Sequence, residues 1–418
     1  MRQTEIYIDR SRVRTKTFDT LFCLLMIQFV IFPKNYMVLK AVTLALLIFD
    51  GLIMQQGRIR FGRDSIYLGI YIVFNIIFMA LGILRGFGKN AIRVSTVYII
   101  WPSVYLLFSG FYVQEEQLKN LFNLLIYLAA IICIIDTVVI LSNMFHLGKV
   151  LSLLNDLHLG GYISTSGLFS FRSEHVFFYA FFAPFMISCM FMKKHEIEET
   201  GGNRQFIIIV GICSTVISII IGMGAIWLAV FLGGLLSFFR SKLIKRKKGF
   251  LVLLTCTVAL FFIAIYSFYR HGFVYSIVEE IGSRFNRNIP YDDDVVRSNQ
   301  IQAMIETWAH FPLFGKGLGS SVGYYRLGRF VEQSQNEMTY FTLLYQCGIV
   351  GVLMFLIIAV RSVKSLRKHT GAKWLTEPFA TGLICFLIAN TFNPYLSNMS
   401  TLWILFLPFI IGNDDALR

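Results

Sequence analysis

The chain has 418 residues, of which 56% are hydrophobic and 15% charged, with a formal net charge of +14 and a mean hydropathy of +0.65. Soluble domains carry roughly 45–50% apolar and about 25% charged residues, so this composition excludes an ordinary water-facing shell and indicates an integral membrane protein. The positive charge does not imply a nucleic-acid partner, because most of the 38 Lys and Arg residues sit in short segments between apolar runs, where the positive-inside rule expects them.

At the N-terminus, Arg10, Arg12, Arg14 and Lys16 precede an apolar run with no small-residue cleavage site after it, so a removable signal is not expected. A spanning helix takes about 20 mostly apolar residues, and about twelve such runs are expected. They lie at 17–33, 36–54, 65–84, 94–113, 121–145, 175–192, 206–222, 224–239, 250–268, 338–360, 376–393 and 399–412. The seventh and eighth are joined only by Gly222-Met223-Gly224, which leaves a re-entrant pair open, and the last is short, so the count is roughly 10–12. The expected architecture is an all-α polytopic membrane helix bundle. Residues 1–268 carry the first nine spans, 269–337 form one large extracytoplasmic loop, and 338–418 carry the last three.

Orientation follows from the basic residues. Arg58, Arg60, Arg63, Lys193, Lys194, Arg204, the basic run at 240–248 and the run at 361–373 mark cytoplasmic segments, which puts both termini in the cytoplasm. Cys23, Cys133, Cys189, Cys213, Cys256, Cys347 and Cys385 all fall in apolar runs without metal-ligand spacing and read as packing residues. Asp136 is the residue most costly to bury unpaired; it is either functional or paired within the bundle.

Two external stretches are long enough to carry function. One, at 146–174, ends in GYISTSGLFSFRSEH; the other is 269–337. No internal repeat is evident, unlike the related halves common in transporters. In the second stretch Ile301, Met304, Ile305 and Trp308 recur at i, i+3, i+4 and i+7, the spacing of an amphipathic helix. Asp294 is its expected N-cap. The helix should stop near His310, because Pro312 disfavours helical geometry before it. Its apolar face should lie on the membrane surface or the bundle top. The run Tyr291-Asp292-Asp293-Asp294 reads as capping and solvation, and no metal site is expected, since no cluster has ligand spacing.

The run Arg297 … Trp308 … Pro312-Leu313-Phe314-Gly315-Lys316-Gly317-Leu318-Gly319, followed by a helix containing Gly348-Ile349-Val350-Gly351, resembles the O-antigen ligase and polymerase superfamily. The close motif covers residues 297–351, and the long-loop topology extends the likeness loosely over the chain. The resemblance implies a multi-pass enzyme of the bacterial cytoplasmic (inner) membrane that transfers glycan from a polyprenyl pyrophosphate carrier to a hydroxyl. A polymerase uses a lipid-linked repeat unit as acceptor and a ligase uses lipid A–core; the polymerase is the reading adopted here. Its partners would be the lipid-linked oligosaccharide as donor and acceptor, the lipid bilayer and a chain-length regulator. No cofactor is expected, because neither a Walker loop nor a Rossmann fingerprint is present. A lipid-linked oligosaccharide flippase is the rival from another class, and related halves would favour it.

For this chemistry the protein must hold the charge of the departing pyrophosphate, a task suited to guanidinium groups. The candidates are Arg172, Arg284, Arg287, Arg297, Arg326 and Arg329, with Arg297 favoured by its place in the motif. The alternative for each is a solvated charge or an ion pair with Glu279, Glu280 or the Asp292–Asp294 run. Counting back from Gly348, Glu337 occupies the position where the family's ligases present a histidine, and is the expected base. Its alternative role is a carboxylate favoured by a helix N-terminus. Glu174 and His175 form a second carboxylate–imidazole pair expected to face outward, and His310 is read as a helix end. Pro312, Gly315, Gly317 and Gly319 form the loop motif. In one departure, the family's Ser-Arg pair near the seventh and eighth spans is replaced by SIIIGMGAIW, and Arg172 is the candidate to supply the missing charge.

Overall fold

Backbone amides inside lipid must be satisfied within their own segment, so long apolar runs fold as helices. The computed structural model describes residues 2–54, 61, 64–109, 115–163, 171–240, 292–326, 328–368 and 370–412. In chain order the helices are α1 (Arg2–Ile31), α2 (Met37–Met54), α3 (Ser65–Leu84) and α4 (Gly88–Ser95). A π-helical turn, Thr96–Ile100, carries α4 into α5 (Trp101–Ser109). Then come α6 (Glu115–Met144), α7 (Gly148–Asp156), α8 (Tyr179–Met190), α9 (Lys194–Glu198), α10 (Arg204–Ile221) and α11 (Gly224–Arg240). The last four are α12 (Asp292–His310), α13 (Thr339–Lys368), α14 (Lys373–Ala389) and α15 (Leu402–Ile411).

Among the described residues, strands occur in two antiparallel hairpins, β1 (Gly161–Ile163) with β2 (Phe171–Ser173) and β3 (Val322–Arg326) with β4 (Arg329–Gln333). The chain is therefore an all-α membrane-type protein with almost no sheet. Five described helices are long and apolar enough to cross a membrane: Ser65–Leu84, Gly88–Ser109, Glu115–Met144, Arg204–Ile221 and Thr339–Lys368. Shorter apolar helices cover Val176–Met190, Gly224–Arg240 and Met399–Ile411. The expected run 250–268 lies outside the described residues, as do residues 269–291 of the long loop.

The interior is aromatic and the periphery aliphatic. On α8, Phe181, Phe182, Phe185 and Met186 are fully buried. The Phe181 ring meets Phe379 of α14 at 5.0 Å and Trp403 of α15 at 5.1 Å, both edge-on, the arrangement that aromatic quadrupoles favour. Val38, Ile66, Val73, Ile134, Ile209 and Leu353 point outward from other helices and are exposed, as lipid-facing side chains are.

The bundle has two chemically distinct ends. At one, Asp64 beside the start of α3 is held by Lys368 and Arg361 of α13. The Arg361 guanidinium lies over the Tyr67 ring, 3.9 Å from its centroid, and Arg240 donates to the Glu377 carbonyl. At the other end of α3, Arg85 donates to the Gly315 carbonyl at 2.7 Å. The segment between α12 and α13 therefore sits at the end opposite the basic cluster.

α12 stops at His310, as the following Pro312 predicts, but it starts at Asp292, so Asp294 lies within the first turn and is not the N-cap. Its apolar face packs on protein: Val296 and Met304 bury against Val322, Tyr324, Met338 and Tyr345, with Ile301 and Trp308 partly covered. Ile305, expected on that face, is 41% exposed. The Trp308 indole donates to the Pro312 carbonyl at 3.1 Å and closes the turn that follows.

Candidate functional site

The Gly-rich turn after α12 is inserted into a break in α13. Gly348, at φ 66° and ψ −169°, interrupts that helix in a region of backbone space that only glycine occupies readily. The break frees two carbonyls and two amides, and the loop satisfies all four. Lys316 and Gly317 donate their N–H groups to the carbonyls of Tyr345 (2.7 Å) and Gln346 (2.9 Å). Ile349 and Val350 donate to the carbonyls of Pro312 (3.0 Å) and Leu313 (3.1 Å). Leu318 donates to Phe78 of α3 at 2.8 Å.

The motif glycines are spent on this backbone contact. A Cβ on Gly315 would lie 2.3 Å from the Gln346 carbonyl carbon, and one on Gly348 2.2 Å from the Leu313 oxygen. Gly317 and Gly319 press in the same way on Gly82 of α3 and Ala91 of α4. The amides of Lys316, Gly317 and Leu318, which could have cradled a phosphate, already donate to protein carbonyls.

Above this wedge, Arg297 and Glu337 meet. Arg297 Nε donates to Glu337 Oε2 at 3.0 Å, with the side chains 39% and 37% exposed. The bond uses the side of the guanidinium, and its two terminal nitrogens have no hydrogen-bond partner among the described residues. Below them lies a buried polar cluster. Gln346 Nε2 donates to the carbonyls of Ser320 (2.9 Å) and Ser334 (2.8 Å). Asn336 Nδ2 donates to Tyr345 Oη at 3.3 Å.

Arg172 is on β2, opposite Tyr162 of β1. Its Nη1 donates to the carbonyls of Phe171 (3.1 Å) and Ile221 (3.0 Å). The second is at the C-terminus of α10, where Gly222 turns left-handed at φ 70°, and a cation suits that end of the helix dipole. Arg172 thus reaches the α10–α11 turn, where the sequence lacks an arginine of its own. Burial raises the nearby Tyr395 phenol above its usual range, and the charge of Arg172 opposes that shift.

Glu174 and His175, expected to face outward together, part company. Glu174 lies 3.8 Å from Lys34 and accepts a 3.4 Å hydrogen bond from Asn35. The His175 ring is fully buried. Its Nε2 lies 3.0 Å from the Ile31 carbonyl at the end of α1, and its Nδ1 3.3 Å from Asp136 Oδ1. Both ring nitrogens face acceptors, so a proton lies between Nδ1 and the carboxylate. Asp136 is therefore paired across the bundle.

Arg326 and Arg329 pair in register at the exposed tip of the β3–β4 hairpin, beside the edge-on rings of Tyr325 and Phe330. Arg284 and Arg287 lie outside the described residues, as do the side chains of Asp292, Asp293 and Asp294. Among the described residues no group of three His, Cys, Asp or Glu side chains could hold a metal.

Sequence reasoning missed Arg93. It stands on α4 at the wall of an open polar cleft of about 560 Å³, facing Ser334 and Gln335 from the segment after β4, and its Nη2 is 3.5 Å from Ser334 Oγ. The available signal was a basic residue immediately before the apolar run at 94–113; the structure adds a π-helical turn one turn later, a feature frequent at functional sites. Compared with protein-family models and with curated proteins, the chain matches none.

Proposed function

We propose that the chain is a polysaccharide polymerase that moves a growing glycan from polyprenyl pyrophosphate to a lipid-linked repeat unit at the extracytoplasmic face of the bacterial cytoplasmic membrane. The pairing of Arg297 with Glu337 carries this reading. One suits a phosphate ligand and the other a base, and they lie 3.0 Å apart at the end of the bundle opposite the basic cluster. In this reading the chain crosses the membrane about twelve times, both termini are cytoplasmic, and the segment from α12 to β4 belongs to the outer face.

In the reaction the acceptor hydroxyl attacks the anomeric carbon of the donor. The new glycosidic bond forms as the bond from that carbon to the pyrophosphate oxygen breaks, and the hydroxyl proton passes to Glu337. The terminal nitrogens of Arg297, which have no partner among the described residues, would bind the diphosphate without releasing Glu337 from Nε, so one guanidinium orients both leaving group and base. Arg172, Arg326 and Arg329 are the further cations available to the diphosphate, and Glu174 is a carboxylate at the same end.

Deleting the gene and examining surface glycan tests the reading. Loss of long chains with single repeats remaining is expected. Unchanged polymer, or long polymer stranded on its carrier as in a ligase defect, would overturn it.

A further inference from the structure

We propose that the cleft between α4 and the segment following β4 is a sugar-binding subsite that holds the glycan and not the diphosphate. The proposal rests on the polymerase reading only for the identity of the glycan. Three observations carry it.

The first is lining chemistry. Asn90 and Arg93 stand on one wall and Gln333, Ser334 and Gln335 on the other, with the Phe87 ring at the edge. Side-chain amides offer donors and an acceptor together, which matches the mixed donor and acceptor edge of a pyranose, and an aromatic ring accepts the apolar C–H face of a sugar. The volume, about 560 Å³, falls within the range of small-molecule sites.

The second is charge. Arg93 is opposed in the same cleft by Glu332, whose carboxylate accepts a hydrogen bond from Ser321. A diphosphate site needs surplus positive charge; the lining side chains balance, and the further cation beside them, Lys316 Nζ, is engaged by the Ser321 carbonyl at 3.2 Å and the Phe87 ring at 5.0 Å.

The third is an unsatisfied buried acceptor. The cleft narrows at Ser334 and Gln335 into a neck between the π-helical turn and the start of α13, lined by Tyr98, Asn336, Thr339 and Gln346. Asn336 is 3% exposed, and its Oδ1 has no hydrogen-bond partner among the described residues. A buried acceptor of this kind is costly unless a donor meets it, and the neck, about 20 Å³, admits one hydroxyl-sized group as that donor. Asn336 immediately precedes Glu337, so a glycan held in the cleft with one hydroxyl in the neck would end near the base.

The test uses the full chain in lipid nanodiscs and, as probe, the phosphate-free repeat oligosaccharide released from the host's own surface glycan. Saturation-transfer NMR and calorimetry should detect binding to the unaltered protein. The double variant Asn90→Ala/Gln335→Ala alters two solvent-facing or half-buried side chains and should weaken binding by about tenfold or more, as expected for two lost hydrogen bonds. Excess inorganic pyrophosphate should not displace the sugar. Absence of binding, equal binding by the double variant, or displacement by pyrophosphate would overturn the proposal. If gene deletion leaves the host's polymer intact while the cleft variants still lose the oligosaccharide, the polymerase reading falls and the subsite stands.

Discussion

The Gly-rich wedge and the polar cleft beside it belong to the same connection between α12 and α13, yet their polar groups are used in opposite ways. In the wedge, Gly315, Gly317 and Gly319 press on the backbones of α13, α3 and α4, and the amides from Lys316 to Leu318 all donate to protein carbonyls. In the cleft, Arg93, Glu332 and Gln335 are exposed on walls that face open space. The glycine-rich loop motif is a splice joining the α12 helix to the broken α13 helix. In the proposed reaction the chemistry falls to the side chains the splice positions.

The comparison breaks most readily at the splice. Gly348→Ala combines a strained backbone with overpacking against Leu313 and should cost about 2–5 kcal/mol, read as a large fall in melting temperature in detergent and in membrane abundance. Gly328→Ala, at φ 75° but with open space around the added carbon, should cost only about 1–2 kcal/mol. Equal losses at the two positions would show that the loop is not wedged into α13. Arg172→Ala removes two bonds to backbone carbonyls, one capping α10, and should cost about 1–3 kcal/mol by thermal unfolding. Arg172→Lys keeps the charge at the helix end and should recover part of that loss.

Accessibility sharpens the contrast without a change in stability. In a background lacking native cysteines, Gln302→Cys on the outer face of α12 should react with an impermeant thiol reagent in spheroplasts. Ser320→Cys, fully buried beneath the same segment, should react only after denaturation, and Lys364→Cys only after permeabilisation. Labelling of Lys364→Cys but not Gln302→Cys in sealed spheroplasts would reverse the topology and remove the proposed outer-face site.

Much of this was legible in the residues, and what was not had a common cause. Hydropathy marked the helices because lipid requires backbone bonds to close within a segment, and Met304 and His310 behave as the period and Pro312 predict. Arg297 and Glu337 each follow from the family resemblance, one by its place in the motif and one by its place before Gly348; only their meeting is new. Partners on different helices were out of reach: periodicity reports which face a residue occupies, not what lies opposite. Asp136 and His175 were therefore read apart although they pair, and Arg93, on α4 and far in sequence from the loop it faces, was passed over. The break at Gly348 was hidden because Gly348-Ile349-Val350-Gly351 reads as continuous helix until a loop fills the gap. The β3–β4 hairpin carried only a weak signal, since VGYYR and RFVEQ do not alternate strictly between apolar and polar residues.

The most direct test of the central claim is transfer by the purified chain with lipid-linked repeat as donor and with lipid-linked repeat and lipid A–core both offered as acceptors. If Glu337 receives the hydroxyl proton, Glu337→Gln should lower the rate of ladder growth by roughly 10²–10⁴ while the protein melts as the unaltered chain does. A near-normal ladder from Glu337→Gln would remove Glu337 from the reaction, and transfer to lipid A–core alone would contradict the polymerase.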